Sequence, residues 1–218
     1  MRIEWLGHSA FLITSKDGKR VITDPYKAGS YGGAVGYKPI NTQADVVTVS
    51  HQHDDHNDTS AVLGTPEIIE GTGEKEIKGI RFKGVFSYHD TSKGKERGEN
   101  TIYVIELDGL RICHLGDLGE ELSEKQIGEI GDVDILLVPV GGFYTIDAKT
   151  ASSIVDTLKP KVVIPMHYKT EAIGFPIAGV DEFIKGKENV KRIGRSEVDI
   201  TRENLPAKTE IWVLEHSK

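Results

Sequence analysis

His51, His53, Asp54, Asp55 and His56 fall within six consecutive residues of the chain. Imidazole and carboxylate side chains together suit zinc, and also manganese or iron. In an extended segment, residues two apart point the same way, so His51 and His53 can grip one ion. A turn at Asp54 then lets Asp55 and His56 face a second position. The plainer alternative is a solvated polar loop that happens to carry histidine. Three of the chain's eight histidines in six positions weigh against it. A metal site needs further ligands, and the sequence offers them where other apolar runs end. His89 follows Ile80 to Tyr88, Asp117 follows Leu110 to Leu115, and His167 follows Val162 to Met166. Loops at strand ends form the rim of a sheet, where ligands bind.

The elements that must position these residues are short and β-branched. Ala10 to Thr14 and Arg20 to Val21-Ile22-Thr23 flank Asp17-Gly18, a hairpin signal, and Thr101 to Leu107 and Leu110 to Leu115 flank Asp108-Gly109, a second one. Buried strands are expected over Asp45 to Ser50, Asp132 to Pro139 and Lys161 to Met166. Further strands are expected at Glu67 to Glu70, Lys75 to Lys78, Ile80 to Tyr88, Val190 to Ile193, Val198 to Ile200 and Thr209 to Leu214. Helices are fewer: Ser123 to Ile130, Asp147 to Leu158 with Asp147 as N-cap, and Val180 to Ile184. Hairpin, terminal aspartate and buried strand occur twice in that order. The repeat suggests two related βα halves, each giving one sheet, within one domain over residues 1–218. Three long loops, 26–42, 89–100 and 168–178, stand out as functional candidates.

The order His51-x-His53-x-Asp55-His56, a distant His89, Gly116-Asp117 and a late His167 resembles the metallo-β-lactamase superfamily of metal-dependent hydrolases, over nearly the whole chain. Trp5-Leu6-Gly7-His8-Ser9-Ala10, Thr23-Asp24-Pro25 and Ile164-Pro165-Met166-His167-Tyr168 look like its compact branch near the L-ascorbate-6-phosphate lactonase-like proteins. The resemblance implies an α/β fold: a four-layer αββα sandwich of two mixed β-sheets with helices outside and metals at one edge. Carried over residue by residue, it implies that His51, His53 and His89 hold a first metal. Asp55, His56 and His167 would hold the second, with Asp117 bridging. The cofactors so implied are two divalent metal ions, zinc first, with manganese or iron as alternatives. Two such ions sharing a water lower its pKa towards neutrality. Asp55 is the expected catalytic residue, orienting the nucleophile.

Asp24 ends a strand and is read as a carboxylate that fixes a ligand imidazole, a common device around metals. His8 is either a turn residue or a group just behind the metal ligands. His114 is read as a core histidine and His216 as a solvated tail residue. Lys93, Lys95 and Arg97 follow His89 closely and could steer an anion, or be neutralised by Asp90 and Glu96. Phe143-Tyr144 and Tyr168-Lys169 are expected to line the pocket.

Composition narrows the choice of partner. The chain has 218 residues with a formal charge of −7, which leaves no overall basic footprint for nucleic acid. No apolar run reaches the roughly 18 residues that span a bilayer, and Met1-Arg2-Ile3-Glu4-Trp5 lacks the apolar stretch of a secretory signal. A lone Cys113 fits a reducing compartment, so a cytoplasmic location is expected. The expectation is a hydrolase of a small ester, lactone or phosphodiester, without nucleic-acid or membrane partners; a homo-oligomer is compatible with the sequence. Three other readings rank below it. They are a nuclease of the same superfamily, an iron-based oxygen-reducing site, and a non-catalytic metal-stabilised binding protein.

Overall fold

Two mixed β-sheets share the larger of two hydrophobic cores in the computed structural model, which describes residues 1–218. The six-stranded sheet runs, edge to edge, Glu197–Asp199, Arg2–Gly7, Ala10–Thr14, Arg20–Thr23, Val46–Val49 and Glu67–Glu70. The eight-stranded sheet runs Val190–Arg192, Glu210–Val213, Val162–Met166, Ile135–Pro139, Leu110–His114, Glu99–Leu107, Ile80–Tyr88 and Gly73–Ile77. The two halves repeat one pattern. An antiparallel hairpin is followed by strands parallel to its second arm: Arg20–Thr23 with Val46–Val49, and Leu110–His114 with Ile135–Pro139. The next-to-last strand, Glu197–Asp199, crosses to the first sheet and pairs with Arg2–Gly7.

Alternation along the strands divides the apolar side chains. Ile3, Trp5, Phe11, Ile13, Val21 and Val46 enter the core shared with the second sheet. Leu6, Ala10, Ile22, Val47 and Val49 face the other way, into a smaller core. Parallel strands need cover on both faces. On the eight-stranded sheet, helices give it. Glu124–Ile130 packs against Ile80–Tyr88, and Ala148–Leu158 against Ile135–Pro139. Ser123 and Asp147 cap these helices through their side-chain oxygens, as expected. The six-stranded sheet is covered instead mostly by loop, with Tyr26, Tyr37, Ile40, Ile173 and Phe175 filling the smaller core. The outer layer is therefore helical on one side only. Loop 26–42 contains one left-handed turn, with positive φ at Gly29, Tyr31, Gly32 and Gly33. The glycines make that turn cheap, and it carries Tyr31 with it.

Within each sheet three strands run in one direction, Arg2–Gly7, Arg20–Thr23 and Val46–Val49 in the first and Ile80–Tyr88, Leu110–His114 and Val162–Met166 in the second. They end just before His8, Asp24, His51, His89, Asp117 and His167. One rim of the sandwich thus collects six chemically capable side chains. His8, Asp24 and His167 each adopt positive φ (51°, 40° and 49°) directly after a strand. Such residues turn the chain sharply off the sheet, and backbone strain of this kind concentrates at functional sites.

Candidate metal centre

Asp117 stands in the middle of the rim. Its Oδ2 lies 3.1 Å from His56 Nε2, 3.3 Å from both His89 Nε2 and His167 Nε2, and 3.9 Å from His51 Nε2. The ligating atoms of His51, His53 and His89 lie within 4.8 Å of one another, and so do those of His8, Asp55, His56 and His167. All seven residues expected to hold metal are thus brought to one place, though they span more than half of the chain. Gly119 makes the close fit between the Asp117 turn and His89. A Cβ there would sit 2.2 Å from the His89 carbonyl carbon.

Asp24 organises both clusters from behind. Its Oδ2 accepts hydrogen bonds from His56 Nδ1 at 3.0 Å and from the Ser50 hydroxyl at 2.5 Å, and its Oδ1 accepts the Ser50 backbone N–H. The Ser50 oxygen in turn lies 2.9 Å from His51 Nδ1. With its proton given to Asp24, that oxygen accepts the Nδ1 proton of His51. One carboxylate therefore keeps the Nδ1 proton on both His51 and His56 and turns both Nε2 atoms to the site. Both Nε2 atoms, and Asp117 Oδ1, are buried without a hydrogen-bond partner. Unsatisfied buried polar atoms are rare in native proteins, and three on residues that meet at one rim are the mark of a cation site. Asp55 is held from both sides. His8 Nε2 donates to its Oδ2 at 3.1 Å and the Tyr31 hydroxyl to its Oδ1 at 3.2 Å.

With this geometry in hand, the comparisons with known proteins are specific. Residues 2–167 match the family described as "Beta-lactamase superfamily domain". The chain is 33% identical over 195 residues to a UPF0173 metal-dependent hydrolase of Thermococcus onnurineus, covering 78% of this chain and 85% of that protein. It is 34% identical over 194 residues to one from Thermus thermophilus, covering 78% and 84%. The chain belongs to the UPF0173 metal-dependent hydrolases of the metallo-β-lactamase superfamily. It also resembles a solved structure from Thermotoga maritima, assigned as a Zn-dependent hydrolase of the same superfamily. There the identity is 38% and the TM-score 0.81, over 99% of each chain. The chain is accordingly a metal-dependent hydrolase with the α/β fold of that superfamily and two main mixed sheets.

The electrostatics of this hydrolase's rim suit cation binding. Burial pushes His51 well below the ordinary imidazole pKa, and takes His8 and His89 down to about 4. Neutral imidazoles are the form that binds metal. Burial acts on His56 too, but there the carboxylates Asp117, Asp55 and Asp24 overcome it and raise the pKa well above the ordinary value. The field that holds a proton on His56 is one that a divalent ion would neutralise. Asp117 and Asp55 resist their own burial, because the imidazoles around them hold both carboxyls well below the usual range.

Other expectations fare differently. His8 is fully buried, its ring tilted against that of His167 at 4.1 Å between centroids and bonded to Asp55, so it stands behind the ligands and is more than a turn residue. His114 lies in the core, with Nε2 donating to Ser9 O at 2.8 Å and Nδ1 accepting from Gly116 N at 3.1 Å. His216 is not solvated. It is half-buried, packs on Trp5 and Tyr37, and its Nε2 lies 2.9 Å from Glu171. Tyr168 is buried against Trp5 rather than lining the pocket, and the Lys169 ammonium bonds the Ile173 and Phe175 carbonyls. Tyr144 does line the cavity beside the ligands, and Phe143 packs on it. Sequence reasoning missed the role of Ser50 and read Asp90 only as a counter-charge. Asp90 is buried and accepts the backbone N–H groups of Ser92, Gly94, Glu96 and Arg97 at 2.7–3.0 Å. An aspartate followed by Thr-Ser-Lys-Gly is a turn signal that could have pointed to it.

Proposed function

We propose that this hydrolase holds two divalent ions, zinc in preference to manganese or iron, and cleaves a small ester, lactone or phosphodiester. The observation that carries the reading is the meeting of four imidazole Nε2 atoms around one carboxylate oxygen, Asp117 Oδ2. Five imidazoles and two carboxylates exceed the four closed ligands of a purely structural zinc and leave positions for substrate. In this reading His51, His53 and His89 hold one ion, Asp55, His56 and His167 the other, and Asp117 bridges them. When bound, such a pair lowers the pKa of water and polarises a carbonyl or phosphoryl oxygen.

The chain's own residues do the rest. Asp24 and Ser50 keep the two imidazole lone pairs directed at the site. His8 and Tyr31 clamp Asp55 so that it orients the attacking water. A carboxyl held so far below its usual range is a weak base, so Asp55 serves by orientation more than by proton removal. The cavity beside the ligands measures about 290 Å³, a size for a small molecule. With the net charge of −7, it supports a small-molecule partner over nucleic acid. A lactone is the first substrate to try, on the likeness of the His8 and Asp24 segments to lactonase-like proteins. The reading takes the protein as cytoplasmic, where the single cysteine, Cys113, buried with its pKa pushed up to about 12, stays reduced and inert.

The test is elemental analysis joined to a screen of the metal-loaded protein over lactones, thioesters, phosphodiesters and β-lactams. Close to two ions per chain and hydrolysis abolished by His53→Ala are expected. One ion or none after growth in metal-replete medium, or unchanged turnover in His53→Ala, would overturn the reading.

A further inference from the structure

The cavity beside the metal ligands has a second wall that the hydrolytic reading does not use. Tyr31, Tyr144 and Phe175 form it, with Phe175 in edge contact with each tyrosine at 5.5 Å between ring centroids. Arg97 closes the wall, its guanidinium 5.6 Å from the Tyr144 ring centre. It is the only cation lining this cavity. The acids that line the same space, Asp55 and Asp117, are already committed to histidines. The one partner of Arg97 is Glu96 at 3.5 Å, itself well exposed and also bonded by Ser92, and such a pair leaves the guanidinium available.

The backbone of Arg97 is also fixed in place. Asp90 follows His89 directly and ties loop 89–98 into a rigid turn through four backbone N–H groups, that of Arg97 at 2.8 Å among them. The loop returns to the strand through His89 N–H on Gly98 O at 3.0 Å. One buried carboxylate therefore sets the backbone distance between a metal ligand and the one arginine or lysine that lines the pocket.

We infer that Arg97 determines specificity by pairing with a carboxylate on the substrate, remote from the scissile bond. The substrate class this selects is a small ester or lactone with one carboxylate on a flat, unsaturated body. The guanidinium fork matches a carboxylate in two parallel hydrogen bonds. A single cation with no neighbouring lysine lining the cavity balances one negative charge rather than a phosphate dianion. Three aromatic faces suit a flat body, since ring pairs prefer offset or edge contact. This inference rests on the hydrolase reading above for the position of the scissile bond.

Matched probes test it. Phenyl acetate and para-acetoxybenzoate differ only in a carboxylate, and their hydrolysis is compared in the metal-loaded wild type, Arg97→Met and Arg97→Lys. The wild type should favour the acid by about tenfold or more in kcat/KM, as a charge-assisted hydrogen-bonded pair provides. Most of that preference should lie in KM, because the contact is made equally in ground and transition states. The ratio should fall to about one in Arg97→Met and be intermediate in Arg97→Lys. Calorimetric binding of para-acetamidobenzoate against para-acetamidobenzamide gives a readout that needs no turnover. The wild type should bind the acid about tenfold tighter, and Arg97→Met should bind the two alike. A preference that survives Arg97→Met, as when the carboxylate sits on the metal ions instead, overturns the inference. Binding through Arg97 with neither ester cleaved would leave it standing and count against the ester reading alone.

Discussion

The His51, His53 and His89 cluster is built of imidazoles alone, whereas the neighbouring cluster places Asp55 beside His56 and His167 and backs them with Asp24 and His8. The first is partly open, since His53 is only half-buried; every member of the second is buried. Around His56 three carboxylates converge, Asp24 at 3.0 Å, Asp117 at 3.1 Å and Asp55 at 3.7 Å. Charges so close in a site screened from water interact far more strongly than at the surface. The same ligand vocabulary thus yields two different sites. The second is held by net negative charge in a low dielectric. The first offers lone pairs with solvent at the door, so on the proposed two-ion reading its ion should leave first when chelator is added.

The largest test of that contrast is Asp117→Ala. Asp117 is the carboxylate that lies among the Nε2 atoms of both clusters, so on the proposed two-ion reading metal content should fall from about two ions per chain to one or fewer. Hydrolysis should drop by more than about 100-fold, because partners outside the ligand shell already cost about 10–100-fold. Elemental analysis and initial rates measure both, and a variant that kept two ions would remove Asp117 from the bridge. A pair of smaller changes follows. Asp24→Asn should weaken metal affinity by about 10–100-fold at both clusters, since Asp24 reaches His56 directly and His51 through Ser50. Ser50→Ala should weaken only the His51 cluster. Competition with a chromophoric chelator resolves the two steps, and equal loss at both sites in Ser50→Ala would show the clusters to be coupled rather than distinct.

Much of this was legible from residue order, and the exceptions share a cause. His51, His89, Asp117 and His167 announce themselves because each follows an apolar run that reads as a strand, and the sense of those strands brings their ends to one rim. Asp24 could be read for the same reason. Ser50 could not, because its role depends on where Asp24 lies across the gap between two strands, and a serine at a strand end carries no signal of that. Tyr168 shows the converse. It follows a ligand directly, yet the positive φ of His167 turns the chain so that the tyrosine packs on Trp5. The loop-built layer over the six-stranded sheet had no periodicity to betray it. Tyr26, Tyr37 and Phe175 reach that core from segments whose apolar residues follow neither a helical nor a strand repeat.

The smallest effect separates the clusters by the sign of their response to pH in chelator-treated protein. His51 and His89 in the first cluster, and His8 behind the second, have pKa values lowered by burial, the latter two to about 4. Between the ordinary imidazole value near 6.5 and about 4 the unfolded chain binds more protons than the folded one at these positions. Their contribution to stability is complete above pH 6.5 and is lost as pH falls through that window. His56 acts oppositely. Its folded pKa is raised by the carboxylates around it, so its contribution is complete below 6.5 and is lost as pH rises through the raised value. The thermal midpoint should therefore peak between the two limbs, with each kcal/mol shifting it by about 2–4 °C at this chain length. His89→Gln should flatten the acid limb and His56→Gln the alkaline limb. Saturating zinc should flatten the alkaline limb alone, because an ion displaces the proton held on His56 and keeps His51 and His89 neutral as they already are. A single limb governed by both histidines would mean that the three carboxylates act on the whole rim, and that the two sites differ in exposure but not in charge.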